Sequence, residues 1–269
     1  MNLNLQIKNG VLSSPSTLEV VMGLVVDKKI EQVVPIPELP CLKDILKEIG
    51  PFPREALFLG VADDNKPVLL NLWDPTPGPV LLVGDSVAAK TDFLKAIVHF
   101  IVDTHQSREV QFGVITSDPL EWDDQADFPH CAGIFSMAHK RATDFIQALT
   151  IWTEMTITNQ QSVLLLIDGL DDFIYWDGRL SEDLRRILLY GPAKKIWPIV
   201  TVNLESFQSA NTWLKYFRTR VFGYTKRTNV INNDGYCYTG FETLYREAEY
   251  CLKESSKWIK FRIPRTYSG

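Results

Sequence analysis

Residues 78 to 101, GPVLLVGDSVAAKTDFLKAIVHFI, hold the one stretch with the spacing of a phosphate-binding loop. In the pattern GxxxxGK[ST], backbone amides face the phosphates, the lysine reaches the terminal ones and the hydroxyl residue holds magnesium. Gly84, Lys90 and Thr91 stand at those positions. Two residues depart from the pattern. Ala89 replaces the second glycine, where a Cβ hinders close backbone approach. Asp85 brings a carboxylate to where phosphates would sit.

A second string, SVLLLIDGLDDF at 162 to 173, reads as an apolar strand ending in Asp168. An aspartate at such a strand end orders magnesium and its water. ATP-hydrolysing sites of this kind commonly follow it with a glutamate that activates the attacking water, and here the next residue is Gly169. Asp171 and Asp172 have shorter side chains and fall on the turn beyond the strand tip, which argues against either taking the role. Loss of one base lowers a rate by about 10²–10⁴, so fast turnover is not expected and no residue is assigned as catalytic.

The elements that must position these groups are legible as apolar runs. PVLLV (79 to 83), VQFGVIT (110 to 116), VLLLI (163 to 167), PIVTV (198 to 202) and RVFGY (220 to 224) are short and bounded, with helically spaced segments between most of them. Phe93, Ile97, Phe100 and Ile101 make one helix face, and Phe145, Leu149, Trp152 and Met155 another. Short apolar strands alternating with amphipathic helices predict an α/β fold with a mainly parallel sheet covered on both faces. Upstream, LEVVMGLVVDKKIEQVV at 18 to 34 reads as a hairpin and CLKDILKEI at 41 to 49 as a helix, separated by Pro35, Pro37 and Pro40. The expected organisation is an N-terminal appendage over 1–50 and one main domain over 51–269.

The 269 residues are 45% hydrophobic and 23% charged, enough for a sizeable core. A formal charge of −5 with dispersed basic residues gives no phosphate-tracking footprint, so DNA is not expected as a direct partner. Cys41, Cys131, Cys237 and Cys251 show no CxxC spacing, and no apolar run approaches the roughly 20 residues of a membrane helix. The expected location is the cytoplasm, with any membrane contact made through a partner. His130 and Cys131 are adjacent but have no second ligand pair in sequence, so they read as a surface loop. The aromatic and basic mixture from Phe207 to Phe222 reads as packing onto the sheet, and Glu121, Asp123, Asp124 and Asp127 as a solvated loop.

With these strings placed, residues 52 to 235 resemble the motor domain of FtsK/SpoIIIE translocases, within the FtsK/HerA group of RecA-like ATPases. The resemblance rests on PREALFLGVADDNKPVLLNLWDPTPGPVLLVG before the loop, Asp118-Pro119 and Pro129-His130 after the second strand, and FIQALTIWTEM before the Asp168 strand. FRTRVFGYTKR resembles the family's next strand, and KWIKFRIPR looks like a closing strand. Where the family has a Thr-Gln pair sensing the γ-phosphate, PIVTVNLESFQ offers Val202, Asn203 and Leu204. The similar membrane ATPases of type VII secretion carry such domains in tandem, some with altered sites.

The resemblance therefore implies a RecA-like P-loop domain that keeps the fold and is deficient in ATP hydrolysis, a pseudo-ATPase acting as a regulatory or assembly subunit. Protein partners, either homologous ATPase subunits or copies of this chain, follow from it. Gly84, Lys90, Thr91, Asp168 and Asn203 are the nucleotide-binding candidates, with Thr91 and Asp168 for magnesium, and ATP and magnesium binding is expected to be weak or absent. Two alternatives stand beside this reading: a slow but active ATPase of a DNA- or protein-translocating motor, and a peptide-binding module that uses the vacated pocket.

Overall fold

Strands without charge that bury alternate side chains on opposite faces need a helical layer on each side. The computed structural model describes residues 41–266 apart from 86, 156–160, 174–177, 207–209, 226–229, 232–236, 239–243, 245–247 and 255–256. The hairpin expected at 18 to 34 lies outside the described residues.

The five runs become β3 (Val80–Gly84), β4 (Val110–Thr116), β6 (Ser162–Asp168), β7 (Ile196–Asn203) and β8 (Thr219–Gly223). With β5 (Cys131–Ser136) they run parallel in the order β8-β3-β7-β6-β4-β5. An antiparallel extension continues the sheet beyond β8. It is made of β11 (Glu249–Glu254), β12 (Lys257–Arg262), β1 (Ala56–Ala62) and β2 (Pro67–Asn71). The segment KWIKFRIPR does form a strand, β12, but it lies inside the sheet between β11 and β1, antiparallel to both, rather than closing it. A separate ladder pairs β9 (Val230–Ile231) with β10 (Cys237–Tyr238).

Helix α1 (Leu42–Ile49) precedes the sheet and α2 (Val87–Thr104) follows β3. Two short pieces follow β4: a 3₁₀ turn at Pro119–Trp122 and α3 (Asp123–Ala126). Next come α4 (Lys140–Glu154), α5 (Leu170–Phe173), α6 (Gly178–Tyr190) and α7 (Asn211–Leu214). Leu81 and Val83 of β3, Leu165 and Ile167 of β6, and Val200 and Val202 of β7 pack with Ile146 and Leu149 of α4 and Leu184 and Ile187 of α6. The alternate residues Val80, Leu82, Leu164, Leu166 and Ile199 pack with Phe93, Ile97, Phe100 and Ile101 of α2. Each such side chain contributes about 1.5–3 kcal/mol on burial.

Helix α1 buries Leu42 and Ile45 in the same cluster as Leu57, Phe58 and the α2 face. Two expectations shift. His130 is not on a surface loop: it is 5% exposed and its Nε2 lies 3.0 Å from the His105 carbonyl oxygen, while Cys131 opens β5. Met155 ends α4 in an extended conformation and is exposed, unlike Leu149 on the same stripe. The aromatic stretch behaves as expected where described, with Trp213 and Phe217 buried and Phe222 on β8. The acidic residues Glu121, Asp123, Asp124 and Asp127 are exposed, but on the 3₁₀ turn and α3 and at the cap of α3 rather than in an open loop.

Candidate nucleotide site

In a parallel sheet, ligands meet the carboxyl ends of the strands. The ends of β3, β7 and β6 converge here because Gly84 is in register with Asn203 and Ile167 with Val200, while Asp168 pairs with Thr116 of β4. Helix α2 starts at Val87 and so brings Lys90 and Thr91 over these ends within its first turns. The motif spacing would keep loop backbone as far as position 89. Ala88 and Ala89 are strong helix formers, whereas glycine costs about 1 kcal/mol in a helix, which accounts for the early start.

The Lys90 ammonium donates to the Gly84 carbonyl oxygen and to Asn203 Oδ1, each at 2.9 Å. Thr91 Oγ1 donates to Asp168 Oδ2 at 2.7 Å, and Thr201 Oγ1 donates to Asp168 Oδ1 at 2.9 Å. The Gly169 N–H closes the ring by donating to Thr201 Oγ1 at 2.8 Å. Asn203 turns its other polar groups to Asp171: its backbone N–H and its Nδ2 both donate to Asp171 Oδ2, at 3.1 and 3.0 Å. The remaining oxygen, Asp171 Oδ1, is buried and accepts no hydrogen bond.

Lys90 is 3% exposed, Thr91 0% and Asp168 7%, so the charges interact through protein rather than water. Burial lowers the pKa of Lys90 from its usual value, opposed by the carboxylates of Asp171, Asp168 and Asp85. Burial raises that of Asp168, opposed by the Thr91 and Thr201 hydroxyls, the Trp122 indole and the Lys90 charge. The Trp122 Nε1 atom is buried and makes no hydrogen bond of full geometry. Glu121, on the turn that carries Trp122, is pushed up by burial and by Asp168, Asp118 and Asp92 against the pull of Lys95, 3.9 Å away.

All five sequence-derived binding residues therefore meet in one place. Sequence reasoning left out Thr201 and Trp122, and set aside Asp171. Thr201 had a signal, as a hydroxyl inside the apolar strand PIVTV; Trp122 had little, as one aromatic among acidic neighbours.

Magnesium keeps several waters and takes one or two protein oxygens together with substrate phosphates. The Thr91–Asp168 pair fits that donor set, because the Thr91 proton points to Asp168 and leaves the hydroxyl lone pairs available. Position 169 differs in kind. Gly169 has φ 107°, a backbone conformation that side-chain-bearing residues rarely adopt, so a glutamate there would be strained.

No family model and no curated protein matches the chain by sequence. Solved structures do. The chain is similar to EccC of Thermomonospora curvata (ATPases 2 and 3, in complex with a signal sequence peptide), with a TM-score of 0.65 and 13% identity over 87% of this chain and 44% of that one. It is similar to EssC (ATPases 2 and 3) of Geobacillus thermodenitrificans, with a TM-score of 0.63 and 11% identity over 87% and 48%. A TM-score of 0.59 at 9% identity relates it to the pCW3 conjugation coupling protein TcpA with ATPgS, over 85% and 70%.

The chain has the fold of FtsK/SpoIIIE-type P-loop ATPase domains. It spans about half the length of the EccC and EssC structures it matches. Among the described residues no helix is long and apolar enough to cross a membrane.

Proposed function

We propose that this chain is a nucleotide-binding P-loop domain deficient in hydrolysis, serving as a regulatory or assembly subunit beside homologous ATPase subunits in the cytoplasm. The observation that carries this reading is the contrast between two halves of one site. Lys90 and Asn203, and Thr91 and Asp168, are joined by hydrogen bonds at the strand ends, which supports their holding phosphates and magnesium. The water-activating position is a glycine whose backbone disfavours any replacement.

When bound, ATP or ADP would bring phosphates for which Lys90 exchanges its carbonyl and amide partners, and Thr91 would hold the accompanying magnesium. Asp168 would hold the ion's waters while Thr201 keeps its second oxygen oriented. Nothing comparable stands ready at position 169 to take a proton from water. The similar EccC and EssC structures each hold ATPases 2 and 3 together, which supports protein partners of the same fold. The same proposal divides the chain into an N-terminal appendage over 1–50 and a P-loop domain over 51–269, with α1 at the end of the appendage packed onto the domain's core.

Calorimetric titration with ADP and ATP plus magnesium tests this reading, with Lys90→Ala as control. The expected outcome is micromolar binding that the control abolishes, with phosphate release near background over hours. Absence of heat at millimolar nucleotide, or steady phosphate release lost in Lys90→Ala, would overturn it.

A further inference from the structure

We propose that Asp171 makes this site selective for nucleoside diphosphates over triphosphates, by standing where a γ-phosphate has to be received. The inference rests on the nucleotide-binding reading above and names the ligand class that the site accepts.

In a phosphate-binding loop the lysine bridges the β- and γ-phosphates. The groups on the γ side of Lys90 are here joined to one another. Asn203 Oδ1 accepts from the Lys90 ammonium while both Asn203 donors go to Asp171 Oδ2. The Asn203 amide, the donor that would otherwise meet a γ-phosphate, is thus occupied by a carboxylate of this same chain.

A triphosphate has two ways to enter, and both are unfavourable. If Asn203 turns its Nδ2 to the phosphate, Asp171 loses one of its donors, although its other oxygen is already buried and without any. A buried acceptor left unsatisfied is costly. If Asn203 stays, the γ-phosphate faces a carboxylate whose charge reaches Lys90 more strongly than that of Asp168 or Asp85. Like charges within a few ångströms in a water-poor site repel strongly. A diphosphate makes neither demand, because its β-phosphate needs only Lys90, Thr91 and the backbone at the start of α2.

Asp172 gives the internal comparison. It neighbours Asp171 in α5, is exposed, and shares none of these bonds. Asparagine at 171 keeps an oxygen for the Asn203 donors and removes the charge, so it separates the electrostatic role from the positional one.

The test is calorimetric titration of the full chain with ADP and with a non-hydrolysable ATP analogue, both with magnesium, on wild type, Asp171→Asn, Asp171→Ser and Asp172→Asn. Wild type should bind ADP at least about tenfold more tightly than the analogue, the scale expected of one uncompensated charge in this setting. Either substitution at 171 should tighten the analogue by about that factor and change ADP less than about threefold; Asp172→Asn should keep the wild-type ratio. Analogue binding that appears only in the 171 variants would also support the role of Asp171. Equal affinities in wild type, or a ratio unchanged in whichever 171 variant folds, would overturn it while leaving nucleotide binding intact. No binding by any of the four proteins would overturn both readings.

Discussion

Asp168 is a buried carboxylate made tolerable by donors from two different segments, α2 and β7, and that dependence can be measured. Thr201 serves it and the Gly169 N–H at once, so Thr201→Val, nearly the same shape, leaves one carboxylate oxygen and one backbone N–H without this partner. Each unsatisfied buried group costs about 1–3 kcal/mol. Urea unfolding of Thr201→Val should therefore show a loss of about 2–6 kcal/mol with an unchanged denaturant slope; a loss below about 0.5 kcal/mol would mean that water replaces the hydroxyl. The sequence showed Gly84, Lys90, Thr91 and Asp168 because their chemistry depends on spacing within one short segment or on the end of one apolar run. Thr201 and Trp122 act on Asp168 only through strand register and a turn after β4, contacts that no local spacing encodes. Asp171 was visible but judged by its distance from the strand tip; its tie to Asn203 depends on how α5 turns after Gly169.

Elements with a strong internal pattern were readable, and those defined by their neighbours were not. The parallel strands β3, β4, β6 and β7 are centred on apolar runs, whereas β2 and β11 mix in polar or charged residues and gain strand identity by pairing in the antiparallel extension; β5 is a partly exposed edge, and β1, as apolar as the parallel strands, was read only as part of the lead-in to the loop. One joint between elements carries a pH dependence. His105, just past the end of α2, meets the Thr104 hydroxyl at 2.8 Å through Nδ1 and the Arg54 carbonyl at 2.9 Å through Nε2, while its own carbonyl meets the His130 ring. Burial lowers its pKa, against the Arg54 bond and the charge of Glu109. The unfolded chain, with histidine near 6.5, thus takes up a proton that the folded chain refuses. Stability is full above about pH 6.5 and falls as the pH drops from there through the lowered folded value. Urea midpoints at pH 7.5, 6.0 and 5.0 should decline in that order, and His105→Gln should flatten the decline; equal slopes in the two proteins would assign the acid sensitivity elsewhere, for instance to His99, whose pKa burial also lowers.

For the whole molecule, the candidate nucleotide site is also a seam of the fold. Its hydrogen bonds join the ends of β3, β6 and β7 to α2 and α5, so a ligand there holds together the parallel sheet and the helices on both of its faces. Ligand that binds only the folded state adds stability of RT ln(1 + [L]/Kd), about 2.7 kcal/mol at a hundredfold excess over Kd. A chain near this size gains about 2–4 °C in Tm per kcal/mol, so saturating ADP with magnesium should raise the melting temperature by roughly 5–10 °C. Lys90→Ala should show no shift, since its loss removes the phosphate contact and the Gly84 and Asn203 bonds together. The triphosphate separates the possible machines. A domain that hydrolysed ATP would convert it during incubation, and the ATP-treated sample would drift towards the ADP melting temperature. A domain that only binds would hold a constant, smaller shift, because the ligand stays a triphosphate and Asp171 opposes it. Constancy of the ATP shift over several hours, with ADP giving the larger shift throughout, is the expected result; convergence of the two curves would show turnover and return the chain to the working motors whose fold it shares.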